Sequence, residues 1–90
     1  MRLTESTCIG NESGYSLRDI RRAVDIILAD EGFGNKAGKV INANLVNAYW
    51  KDDGDRAFIE MKVDILDDHY CRHFHRTLEY IPEADDFQLA

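Results

Sequence analysis

Val40-Ile41-Asn42-Ala43-Asn44-Leu45-Val46-Asn47-Ala48-Tyr49-Trp50, the turn Asp52-Asp53-Gly54-Asp55 and the return Ala57-Phe58-Ile59-Glu60-Met61-Lys62-Val63-Asp64-Ile65 decide the fold of this chain. Asp-Gly between two apolar runs marks a β-hairpin, because a tight hairpin turn needs residues that tolerate positive φ. The returning run alternates apolar and polar residues, the period of a half-buried strand. The outgoing run is less decided. Ile41, Leu45, Ala48 and Tyr49 would also suit a helix, and three asparagines are unusual in a strand. The turn and the alternating partner tip it to β. A second turn at Asp67-Asp68 leads into Tyr70 to Ile81, which Pro82 ends, so the stretch predicts a three-stranded antiparallel meander.

Pairing follows from the turns. With Lys51 opposite Arg56, Trp50 faces Ala57, Ala48 faces Ile59 and Val46 faces Met61 on one side of the sheet. Tyr49–Phe58, Asn47–Glu60 and Leu45–Lys62 then share the other side with Ala43 and Ile41. A two-residue loop at Asp67-Asp68 pairs Ile65 with Tyr70, Met61 with Phe74 and Ala57 with Leu78, placing Arg72 and Arg76 on the apolar side near its edge. A three-residue loop would turn every side chain of the last strand over and set Arg72 and Arg76 against Asp64 and Glu60. The two-residue loop is preferred, since it keeps the apolar set together.

Upstream lies one helix. Ser16 is a good N-cap, Asp19 falls at N3 near the positive end of the helix dipole, and Tyr15 is placed to staple onto Ile20. Leu17, Ile20, Val24, Ile27 and Leu28 share one face, with Arg18, Arg21, Arg22 and Asp25 outside it. Gly32 and Gly34 are stop signals, so the helix is predicted from about Leu17 to Glu31. Residues 1–14 read as an arm with at most a short strand at Arg2–Thr4 or Thr7–Ile9, and 34–39 as a polar connection. Residues 82–90 read as an acidic tail with Phe87 and Leu89 as isolated anchors.

Ninety residues, 44% hydrophobic and 31% charged, fit one α+β domain: a two-layer fold with one helix on a three-stranded meander. No apolar run reaches the ~18 residues of a membrane span, and Met1 to Ser6 lacks a signal-peptide core, so a cytoplasmic location is expected. A net charge of −6 disfavours direct nucleic-acid binding and favours a basic partner. Cys8 and Cys71 belong to no CxxC or CxxH pattern and read as reduced thiols.

Few residues invite chemistry. Cys71, His73 and His75 project from one side of one strand and have the right donors for zinc or copper. Positions i, i+2 and i+4 span about 13 Å, however, so one ion would need ligands from a second strand or chain. A solvated polar face explains them, and neither a metal nor a cofactor is expected. The same parallel projection argues against Cys71 acting as a nucleophile with either histidine. Asp52, Asp53 and Asp55 lack the frame of a calcium loop. Arg18, Arg21 and Arg22 could grip an anion, but Asp19 and Asp25 partly neutralise them.

A helix followed by an antiparallel meander, with Gly38-Lys39-Val40 entering the sheet and Asp53-Gly54 at its first turn, resembles the layout of cystatin-like and PepSY-type modules. No diagnostic motif accompanies that likeness, and it assigns no residue a role. Function therefore rests on surface. One helix covers one face of a sheet, while the opposite face is expected to carry Ile41, Leu45, Tyr49 and Phe58, with Ile81 as a further candidate. Exposed apolar surface of this kind marks interaction sites. The expectation is a non-enzymatic protein-binding module, homodimeric, acting through Ile41, Leu45, Tyr49, Trp50 and Phe58 on the free face or edge of its sheet. One alternative is an acidic decoy presenting Asp52, Asp53, Asp55, Asp67, Asp68, Asp85 and Asp86 to a nucleic-acid-binding protein; another is a small metal- or thiol-dependent enzyme.

Overall fold

The Ser16 hydroxyl accepts from the Asp19 amide at 3.2 Å, and the Asp19 carboxylate accepts from the Ser16 amide at 3.1 Å. This capping box starts helix α1, Leu17–Asp30. Gly32, at φ 84°, ends it. Its amide donates to the Ala29 carbonyl, and that of Phe33 to the Leu28 carbonyl, so the last carbonyls are satisfied by a turn that glycine enters without strain. Ile20, Ala23, Val24, Ile27 and Leu28 are buried along one face.

The computed structural model describes residues 8–9, 15–34 and 39–90. Among the described residues five strands form one sheet in chain order: β1 Cys8–Ile9, β2 Val40–Lys51, β3 Arg56–Asp67, β4 Tyr70–Ile81 and β5 Asp86–Leu89. β1 runs parallel to β2, and the other neighbours are antiparallel. The helix packs on this sheet, giving the α+β fold that the hairpin signals imply. The candidate strand at Arg2–Thr4 lies outside the described residues, as do Thr7 and residues 35–38 of the connection.

The first turn is built as expected, with Asp52, Asp53 and Gly54 at φ 54°, 57° and 92° between the pair Lys51–Arg56. Farther along, the pairing departs from simple alternation. Tyr49–Phe58, Ala48–Ile59 and Asn47–Glu60 hold, but a bulge at Val46 makes Leu45 face Met61 and Ala43 face Val63, and a second bulge at Ile41 sets Val40 against Ile65. The energies explain the switch. Burying a leucine is worth about 1.5–3 kcal/mol, whereas unbroken alternation would turn Asn42 and Asn44 toward the core at about 1–3 kcal/mol for each unbonded amide. Leu45 is accordingly buried beneath the helix layer, and the expected second apolar face is polar along Asn42, Asn44 and Asn47.

The second hairpin keeps the expected facing but not the pairing. Its loop is Asp68-His69, with Asp68 at φ 55°, so Ile59 meets Leu78, Met61 meets Arg76 and Ile65 meets Arg72. This slide of two residues brings Leu78 fully under the helix. It also sends Arg76 to Asp30, at 2.8 Å, and to Glu31 at the helix end, while Arg72 lies over the Phe33 ring. Both arginines on the apolar side thereby reach partners at its rim.

The C-terminal segment is an edge strand, not a loose acidic tail. Phe87 is buried opposite Tyr80, Leu89 lies opposite Leu78, and Asp86 accepts two hydrogen bonds from the Arg22 guanidinium at 2.7 and 3.0 Å. Twelve-residue strands reach about 40 Å, and a fourteen-residue helix about 21 Å. The sheet therefore outruns its cover, and the long dimension of the molecule is 45 Å. No helix among the described residues is long and apolar enough to cross a membrane.

Candidate docking groove

On the face away from the helix, Phe58 stacks on Tyr49 with centroids 5.3 Å apart and planes 11° from parallel. The Lys51 ammonium stands 5.1 Å from the Phe58 centroid, and the Arg56 guanidinium 5.0 Å. Glu79 holds Arg56 there by two hydrogen bonds of 2.8 and 2.9 Å. Phe58 is left only 4% exposed. The chain's own cations and Tyr49 close this aromatic patch, so Phe58 offers little surface to a partner. Leu45, packed into the core, offers as little.

The other candidates lie apart. Cys71 is exposed, His73 Nδ1 meets Asp64 Oδ1 at 2.7 Å, and His75 Nε2 lies 3.7 Å from Glu60. No group of three metal-ligating side chains forms among the described residues. The aspartates of the decoy alternative divide between the two ends of the sheet, with Asp67 and Asp68 at one turn and the rest at the other. Asp85 and Asp86 are engaged by Arg18 and Arg22, which removes those arginines as a vacant anion clamp.

Ile41 and Val46, extruded at the bulges, are exposed, as are Leu66 and, at 72%, Tyr70 at the far hairpin. Trp50 stands out. It is 68% exposed although it lies on the side of the sheet that faces the helix. The start of α1 is drawn toward β5 by Arg18–Asp85 and Arg22–Asp86, and the Tyr15 ring packs at a tilt against Phe87, centroids 5.9 Å apart. The helix thus lies over the β5 side, and β2 and β3 are left without helical cover near their turn. There a groove of about 350 Å³ forms, with Trp50 on one side, Tyr15 and Tyr80 on the other, and the small side chains of Ala48 and Ala57 between them.

Asp55 is the charged residue in its lining. Tyr80 donates a hydrogen bond to Asp85 at 2.7 Å, and this bond, more than burial, holds its phenol above the ordinary value. Burial pushes the Tyr15 phenol up as well, with a smaller contribution from the charge of Asp19. Both rings are neutral near pH 7, and both stand among carboxylates. Sequence reasoning picked out Trp50 and Tyr49 but not Tyr15 or Tyr80. The missed signal was the alternation Asp86-Phe87-Gln88-Leu89, which predicts the edge strand that draws the helix aside.

Comparison of the chain with family models, with curated proteins and with solved structures gives no match.

Proposed function

We propose that this chain is a non-enzymatic protein-docking module that receives a segment of a partner protein in the groove beside Trp50. The observation that carries this reading is the exposure of a tryptophan, the residue type most favoured as an interface anchor, at the mouth of a concave aromatic groove. The lining, aromatic and apolar around the single carboxylate of Asp55, has the composition of a surface that receives a side chain. A peptide-display selection against the folded protein tests the proposal. Selected peptides should lose binding to Trp50→Ala and keep it with Tyr70→Ala, whose side chain lies at the other end of the sheet. Peptides that bind Trp50→Ala as well as the parent would place docking elsewhere.

A second reading, self-association, draws on the edge of β4. Among the described residues no strand pairs with β4 from Tyr70 to Arg76 on its outer side, and an unpaired edge is a template for a second copy. Sedimentation velocity across a concentration series distinguishes the two. A dimer that survives Trp50→Ala supports edge pairing, and a monomer at every concentration removes it.

A further inference from the structure

Resting on the docking reading, we propose that the groove is selective for a cation: the side chain of an arginine or lysine in a basic peptide segment, seated between Trp50, Tyr15 and Tyr80 and facing Asp55. The faces of aromatic rings carry negative potential and attract guanidinium and ammonium groups, Trp most strongly. The same end of the sheet already shows this chemistry on its opposite face, where Lys51 and Arg56 cover Phe58 and Tyr49. Those cations are thereby committed to the outer face, and Arg56 is further held by Glu79.

On the groove side the balance is reversed. The adjoining turns carry Asp52, Asp53, Asp55, Glu83 and Asp85. Arg56 lies 3.9 Å from Asp52 and Arg18 lies 3.5 Å from Asp85, while Asp53, Asp55 and Glu83 have no ion-pair partner among the described residues. An incoming phosphate or carboxylate would meet this field as a repulsion, and a neutral apolar side chain would gain nothing from it. A basic side chain gains from both the rings and the carboxylates, and the net charge of −6 steers it inward.

Trp50 is the chain's one tryptophan, so its emission reports the groove directly. Three capped peptides, Gly-Arg-Gly, Gly-Leu-Gly and Gly-Glu-Gly, serve as probes, with calorimetry as an independent readout. The arginine peptide should shift the emission saturably and bind at least about tenfold more tightly than the leucine peptide, a difference of 1.4 kcal/mol. Added salt and Asp55→Asn, an exposed turn substitution, should each weaken it several-fold. Leucine binding equal to or tighter than arginine, with Asp55→Asn without effect, would overturn cation selectivity and leave docking intact. If no peptide changes the emission or gives heat, cation binding falls, and if the display peptides also ignore Trp50→Ala, docking at the groove falls with it.

Discussion

At the scale of single residues, burial separates side chains that hold the fold from those that remain free to act. Leu45 and Phe58 are as apolar as Trp50, yet one lies beneath the helix layer and the other between Tyr49 and two cations. Leu45→Ala should cost about 2–4 kcal/mol in urea unfolding while leaving peptide binding at Trp50 unchanged in the folded fraction. A loss below about 0.5 kcal/mol would mean that Leu45 is not a core residue. The surface carboxylates respond to acid. Hydrogen bonds from Arg22, with one from the Phe87 amide, hold Asp86 below the usual carboxylate range, and those from Arg56 lower Glu79. A carboxyl lowered in the folded state contributes in full above its unfolded value and loses that contribution as pH falls through the folded one. The melting temperature should therefore decline below about pH 4, and Arg22→Gln should make the decline shallower. An unchanged acid limb in that variant would show that the Asp86 pairing does not contribute.

At the scale of elements, the two bulges in β2 do most to separate the molecule from its sequence pattern. The helix was legible to within a residue because Ser16, Asp19 and Gly32 mark its ends chemically. The first hairpin was legible at its turn, where Asp53-Gly54 fixes the pairing. Six residues before Lys51, the same reasoning put Leu45 on the wrong face, because a bulge is set by what the core requires and no local residue announces it. The Asp68-His69 loop was missed for a related reason: two registers that differ by two residues present the same faces, and packing of Leu78 under the helix decides between them. A deletion tests the bulge. Removing Val46 leaves Leu45 facing inward and Asn47 outward in regular alternation, so the variant should still unfold cooperatively with native-like circular dichroism. Removing Lys62 from β3, which pairs on both sides without a bulge, should abolish cooperative unfolding. The opposite ranking would contradict the assigned pairing.

At the scale of the whole molecule, mismatch in length and position creates the site. A short helix drawn toward β5 cannot screen a wider and longer sheet, and what stays open beside the turns is a groove of aromatic walls under a field of carboxylates. None of this was legible from one side of the sheet alone, since Tyr15 precedes α1, Trp50 lies in β2 and Tyr80 in β4, and they line one groove only once β5 has docked. Amide chemical-shift mapping during titration with the arginine peptide tests the groove most directly. Shifts should concentrate at Tyr15, the Trp50 indole, Asp55 and Tyr80 and fade with added salt. Shifts confined to the polar outer face around Glu60, Lys62, His73 and His75, or a spectrum that does not change, would contradict it.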